Sequence, residues 1–427
     1  MTDTEITDVK GRRVWDSRGR PTVEVEVTLA PGVKGRAIAP AGASTGTGEA
    51  VDLRDGGDTF GGYDVTRAVG SVNKDIRDCL IGMDADAQWA IDKAMIECDG
   101  TPNKARLGGN AIVATSMAVL HARAAAEKLP LWRYLAAGNP VRMPLPEIQI
   151  FGGGAHAARR VDIQDFMVMA PAAASFAEAL DWTAEIYRAA GLFMKQTGRL
   201  QGVADEGGFW PAFKTNEEAL DALVHAIEDA GFKPGTDVGI SLDVAASEFG
   251  SRDNYQLTLD DRKLDTSGML DLLAGWLRDY PILSIEDPVA EDDTEGFIAF
   301  TAQHGKICQV IGDDFFVTNA GRVRASIDAH SANAVLIKLN QAGSVTEAKE
   351  ALRVASEAGY GTIVSARSGE TEDLTIAHLA VGWNAGQLKV GSFARSERMA
   401  KWNECLRIEE EMGSSAAFAG RSALPFT

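Results

Sequence analysis

Four charged side chains sit at or near the ends of short apolar runs: Asp243 closes VGISLD, Glu286 closes PILSIE, Asp313 closes CQVIGD, and Lys338 falls in AVLIKL. Successive members are separated by roughly one strand-plus-helix unit. Near-continuous apolar runs of this kind are how strands read when helices cover both faces of a parallel sheet. A charge at the end of each is costly to keep dry. It becomes reasonable where all four meet water, a metal and a substrate at the open C-terminal face of a (β/α)-barrel. One such acid usually caps a helix or pairs with a base. Three acids and a lysine in matching positions point instead to a catalytic rim.

Asp243, Glu286 and Asp313 offer only hard oxygen ligands, which suits Mg²⁺ with its remaining positions filled by water or substrate. Asp314 adds charge beside them. The chain has no EF-hand spacing, and ligands spread over separate strands fit a catalytic ion better than a loop-borne calcium. Close to divalent cations Lys338 is discouraged from staying protonated, and a neutral amine can act as a general base. A proton removed beside a carboxylate leaves a dianionic enediolate, which metal ions and a second lysine, Lys389 in GQLKVG, would neutralise. Glu206, on the glycine-rich turn ADEGGF, and Asp165, read as ending an apolar stretch in QDFMV, could share one proton, giving Glu206 a route to acting as general acid. Taken singly, DEGG is only a surface turn.

The elements that must position these groups divide in two. Two β-rich pieces, Val9–Trp15 and Thr22–Leu29, flank the turn Asp16-Ser17-Arg18-Gly19 in the pattern of an antiparallel hairpin. A glycine-rich loop, Pro40–Ala50, follows, then a helix starting at Asn110 as N-cap and running to Lys128. The breakers Ala137-Gly138-Asn139-Pro140 end this region. Beyond Met143, apolar runs alternate with amphipathic helices over 175–197, 216–230, 344–358 and 396–412, the grammar of repeated βα units. The expected fold class is α/β: an α+β capping domain over 1–138 and a (β/α)8 barrel over 139–427.

Composition excludes other classes. A chain of 427 residues with 45% hydrophobic content can bury more than one core. Its formal net charge of −19 argues against nucleic acid or an anionic membrane as partner. Cys79, Cys98, Cys308 and Cys405 are scattered, without a zinc spacing, and read as reduced thiols. MTDTEITDVK lacks the pattern of a secretory signal, and the apolar stretch Ala111–Leu120 is too short to span a bilayer, so a cytoplasmic location is expected.

Longer motifs carry a resemblance. DSRGRPTVEVEV, AGASTGTGEA, GGGAHA, QDFMV, ADEGGF, DVAASEF, SIEDPVAEDD, GDDFFVTN, KLNQAGSVTE, ARSGETED and ARSERMAKWN resemble, in order, the motifs of the enolase family from end to end. The resemblance implies an enolase-type barrel with irregularly wound first strands, and a lysine base working with magnesium is an established arrangement of that superfamily. It implies that Asp243, Glu286 and Asp313 bind one Mg²⁺ and that Ser44, in the mobile GASTG loop, closes over a second. Lys338 would be the base and Lys389 a carboxylate contact. Glu206 backed by Asp165 would protonate the leaving hydroxyl, Gln164 and His156 would complete the pocket, and Arg367 and Ser368 would hold a phosphoryl group. The implied substrate is small and anionic, phosphoryl or phosphono, and the implied assembly a homodimer or higher homo-oligomer.

The chain departs from the family around the substrate. Family members read SHRSGET where this one reads Ser365-Ala366-Arg367-Ser368-Gly369-Glu370-Thr371. Asp165 replaces a glutamate, Gly152 an asparagine, Ala204 a glycine and Ala41 a serine. Ala366 removes an imidazole, and Arg159-Arg160 add charge in a glycine-rich lid. That combination suits a substituent larger and more anionic than phosphate, and resembles carboxyphosphonoenolpyruvate synthase of phosphinothricin-type antibiotic pathways. The alternatives are a housekeeping enolase, in which those arginines face solvent and a water replaces the imidazole, and a non-catalytic scaffold with the same fold.

Overall fold

The computed structural model describes residues 3–30, 32–43 and 45–426. Strands Ile6–Trp15, Pro21–Leu29 and Lys34–Ile38 form an antiparallel sheet in sequence order. Its first turn is tied by Asp16, whose Oδ1 accepts the backbone N–H groups of Arg18 and Arg20 at 2.8 and 2.9 Å. Helix Gly109–Ala126 lies across the sheet so closely that a Cβ at Gly35 would stand 2.1 Å from the Ala122 nitrogen. Asn110 is not the cap: the helix begins one residue earlier, after Gly108. The Asn110 amide instead binds Asp52 Oδ1 at 2.8 Å and the Leu53 backbone, tethering the segment after the glycine-rich loop.

The second half closes into an eight-stranded barrel. Its strands, in chain order, are Leu145–Gly152, Asp165–Met169, Gly239–Asp243, Ile282–Glu286, Gln309–Gly312, Ala334–Ile337, Gly361–Ser365 and Gly386–Ser392. All neighbours are parallel except at the second strand, which runs antiparallel to the first and third. Local chemistry explains the outer helices: Ser175, Thr215 and Ser344 each accept the backbone N–H of a glutamate three residues on, starting Phe176–Gln196, Asn216–Asp229 and Val345–Glu357.

The barrel interior contains polar groups that pair among themselves. Gln309 donates to Ser284 Oγ at 3.0 Å and exchanges hydrogen bonds with Gln387. Glu147 is fully buried and accepts from Ser241 Oγ at 2.9 Å. The segment 420–426 closes the floor: Leu424 packs with Leu145, Met169 and Leu283, and Gln387 Nε2 donates to the Ala423 carbonyl.

The cap meets the barrel's C-terminal face. Ala41 and Gly369 exchange backbone hydrogen bonds at 2.9 and 2.8 Å, and the Ser17 N–H donates to the Glu370 carbonyl at 2.8 Å. Gly369 has no room for a side chain, since a Cβ there would lie 2.5 Å from Asp16 Oδ2 and 2.8 Å from the Ala41 carbonyl. No helix among the described residues is long and apolar enough to cross a membrane.

Candidate active site

Strand ends bring the charged groups together on that face. Asp243 and Glu286 are register partners at the ends of adjacent strands. Asp165 reaches the same rim from the opposite direction. It opens its strand rather than ending it, and because that strand is reversed its first residue pairs with Asp243 on one side and Gly152 on the other.

Lys389 is the hub. Its Nζ donates to Asp243 Oδ2 at 3.0 Å and Glu286 Oε2 at 2.8 Å, and stands 3.5 Å from Asp165 Oδ2. Burial works against the ammonium, but Asp243, Glu286 and Asp165 outweigh it and hold its pKa well above that of an ordinary lysine. Lys338 pairs with Asp313 Oδ2, and Gln341 Nε2 donates to Asp313 Oδ1 at 2.9 Å. Burial opposes the Lys338 charge too, yet Asp313 raises its pKa. From the protein's own side chains Lys338 is therefore protonated, and the expected neutral amine requires cations beside it.

Burial pushes the Asp165 carboxyl upward, partly offset by Lys389, whereas at Glu206 the opposing pull of Arg398, His156 and Lys389 exceeds burial and lowers the pKa. On the protein's own charges protonation is therefore easier at Asp165 than at Glu206. Gln149 Nε2 donates to Asp165 Oδ1, and Gln149 Oε1 accepts the Gly208 N–H at 2.8 Å, locking the second-strand acid to the ADEGGF turn.

At the other end, Arg367 donates to Glu49 at 3.1 and 3.3 Å and to Asn340 Oδ1 at 3.0 Å. Arg18 donates to Ser368 Oγ at 3.2 Å. Beneath them the fully buried Arg398 holds the carbonyls of Arg367, Ser368 and Val390 at 2.7, 2.6 and 2.8 Å. One small cavity of about 20 Å³ joins the two ends. Its walls include His156, Gln164, Asp165, Glu206 and Asp243 on one side, and Lys338, Ala366, Arg367, Ser368 and Lys389 on the other. A roomier hollow of about 430 Å³ lies beside Thr47, Phe315 and Arg322, but its acids Glu291 and Asp292 are not buried.

Arg159 is not brought in. Its side chain is 66% exposed and pairs with Glu248 at 3.1 Å, since the left-handed backbone at Ala158 and Arg159 turns it outward. Ser44 lies outside the described residues.

The donor set fits a hard divalent ion. Glu286 is completely buried, its Oε1 has no hydrogen-bond partner, and Gln164 Nε2 steers Asp243 Oδ2 at 3.0 Å. Two other groups of residues bring one ligand atom each within 4.8 Å of one another, Asp287 with Asp313 and Asp314, and His156 with Asp165 and Glu206, a closeness not shown for Asp243, Glu286 and Asp313. In the first, Asp287 is occupied by the backbone N–H groups of Asp313 and Asp314, both at 2.9 Å. It props the rim acids and is no free ligand.

Sequence reasoning passed over Glu49, Gln341, Gln149 and Arg398. Glu49 and Gln341 lie within the quoted glycine-rich and KLNQ motifs, where their place was a usable signal. Arg398 lies within the quoted ARSERMAKWN motif and had the same signal, whereas Gln149 acts through contacts between distant segments and had none.

The enolase C-terminal TIM barrel domain model matches residues 140–425, and the enolase N-terminal domain model matches 6–135. The chain belongs to the enolase family. Among curated relatives, this enolase-family chain is similar to "Enolase 1" of Desulfitobacterium hafniense (strain Y51), 50% identical over 424 residues, covering 99% of this chain and 97% of the relative. It is a hydro-lyase of that family.

Proposed function

We propose that this hydro-lyase removes water from a 2-phosphoglycerate-type substrate to give a phosphoenolpyruvate-type enol ester, and that its preferred substrate carries an enlarged, more anionic group at phosphorus, as in the formation of carboxyphosphonoenolpyruvate. The observation that carries this reading is Ala366. It lines the cavity between Ser365 and Arg367, at the place where the family motif has an imidazole.

Lys338 would take the proton from the carbon beside the substrate carboxylate, while the Lys389 ammonium faces that carboxylate and stabilises the enediolate. Glu206 would deliver a proton to the departing hydroxyl and be resupplied by Asp165, and the two products of that step are water and the enol ester. Arg367 and Ser368 would hold the phosphoryl or phosphono group, with Glu49 and Asn340 fixing the guanidinium plane. Asp243, Glu286 and Asp313 would hold Mg²⁺, which when bound supplies positive charge that acidifies the carbon and frees Lys338 from its proton. A second ion, a homo-oligomeric assembly and a cytoplasmic location belong to the same proposal.

A second reading, the housekeeping reaction on 2-phosphoglycerate, is favoured by the 50% identity to a curated enolase and by the outward placement of Arg159. Kinetics on 2-phosphoglycerate and its carboxyphosphono analogue, side by side, separate the two. The specialised reading expects the analogue to have the higher kcat/KM, with Ala366→His reversing the preference. Faster turnover of 2-phosphoglycerate, unaffected by that substitution, overturns it.

A further inference from the structure

We propose that Cys79 and Cys98 are a reversible redox pair in the capping domain, closed to a disulfide by a small hydroperoxide such as hydrogen peroxide. Cys79 stands near the end of the helical segment 66–80, and Cys98 in the last turn of helix Gln88–Asp99. Cys79 Sγ lies 3.5 Å from the Ala94 carbonyl. Ala94 is one helical turn before Cys98, so its carbonyl receives the Cys98 N–H and its side chain shares a face with that of Cys98. The two sulfurs meet there, side chain to side chain. Both residues are partly exposed, whereas Cys308 and Cys405 are buried.

The surroundings give the two thiols different parts. Arg106 Nη2 stands 3.5 Å from Cys98 Sγ on the exposed side of the pair. Its guanidinium is fixed there by the carbonyls of Cys98 and Asp99 and by Asp75 Oδ1 at 3.3 Å. A cation beside a partly exposed sulfur is the setting in which a thiolate attacks. At Cys79, burial and then Cys98 and Glu97 push the thiol up, which suits the group that answers second. Cys98 sulfur takes one peroxide oxygen as the O–O bond breaks, leaving a sulfenic acid, and the thiol proton departs with the other oxygen as water. Cys79 sulfur then attacks the sulfenic sulfur: the S–S bond forms, the S–O bond breaks, and the released hydroxide carries off the Cys79 proton as a second water. Two thiols are oxidised and one peroxide is reduced. In a reducing compartment the pair rests as thiols and closes only transiently. The bond ties two cap helices together and closes a loop of about 20 residues. Neither cysteine lines the cavity at the barrel mouth.

Thiol mapping tests this without reference to the substrate. The folded protein in Mg²⁺ is treated with hydrogen peroxide, free thiols are alkylated, and the peptides are identified by mass spectrometry. The expected product is a single intramolecular cross-link between Cys79 and Cys98, reopened by dithiothreitol, with Cys308 and Cys405 alkylated only after unfolding. In Cys79→Ser the sulfenic acid on Cys98 should persist and be trapped by dimedone, and in Cys98→Ser the remaining Cys79 should react about tenfold more slowly than Cys98 does in the native chain. The inference is overturned if both thiols stay free, if Cys98 passes to sulfinic or sulfonic acid without a cross-link, or if the cross-link joins two chains or another pair of cysteines. The map of the native chain decides the point even where a variant fails to fold.

Discussion

Replacing Glu147 by glutamine should change how stability depends on pH. Glu147 lies inside the barrel with no exposure, and burial, only partly offset by Lys389 and the Ser241 hydroxyl, pushes its pKa from 4.5 up to about 7. The folded state therefore binds a proton more tightly than the unfolded chain. Stability tied to this group is complete below pH 4.5, falls as pH rises through the folded pKa, and is lost above about 7. The gap between the two values, at about 1.4 kcal/mol per pH unit, comes to about 3 kcal/mol. Glutamine keeps an acceptor for Ser241 Oγ and carries no charge to desolvate. Urea unfolding followed by fluorescence of the eight tryptophans, in EDTA so that only the protein's own charges act, measures the difference. At pH 5 the two proteins should differ little, and at pH 8 the variant should be the more stable by up to about 3 kcal/mol. A gap that fails to widen between these pH values, or that widens in favour of the native residue, would refute the reasoning.

Arg398→Met removes the guanidinium donor from the buried carbonyls of Arg367 and Val390, and leaves Ser368 only its 3.2 Å bond from Ser17 Oγ; it should destabilise the protein by about 2 kcal/mol or more, read from thermal unfolding, and a loss under about 1 kcal/mol would show that the carbonyls find other partners. Gly369→Ala should cost about 1–3 kcal/mol by driving a methyl into Asp16 and the Ala41 carbonyl, with hydrogen exchange accelerating in the Asp16–Arg20 turn. Arg159→Ala should leave stability within about 1 kcal/mol, as expected for an exposed pair with Glu248, and should leave KM unchanged for 2-phosphoglycerate. A large KM increase confined to a bulkier substrate would show that this arginine reaches the bound substrate. Chelation should abolish turnover and added Mg²⁺ restore it, except in Glu286→Gln, where the restoring concentration should rise steeply.

The rim acids were legible because each ends a run whose apolar character is set locally, and the helix starts at Ser175, Thr215 and Ser344 because capping is written within four residues. Asp165 was found but its place in the strand was misread, since strand direction depends on how the barrel closes and leaves no trace in QDFMV. The upward shift at Asp165 comes from burial, and the downward shift at Glu206 from Arg398, His156 and Lys389 overcoming it, and both need the closed barrel. Glu147 sits within PLPEIQIFG, where a lone acid signals an interruption. Only the closed barrel shows that it points inward.

The reversed second strand bears on how this enzyme can vary. In an ordinary βα unit, the chain leaving a strand top passes through a helix and returns below, so lengthening the loop disturbs the helix that follows. Here the segment from Gly153 to Gln164 starts and finishes on the rim, beside register partners Gly152 and Asp165. It hangs over the cavity like a handle fixed at both ends. Its second leg is anchored, since Asp162 exchanges hydrogen bonds with Asn216 at the start of a barrel helix, so the exposed tip at Ala158 and Arg159 is where residues can be exchanged while the proton-transfer groups stay in place.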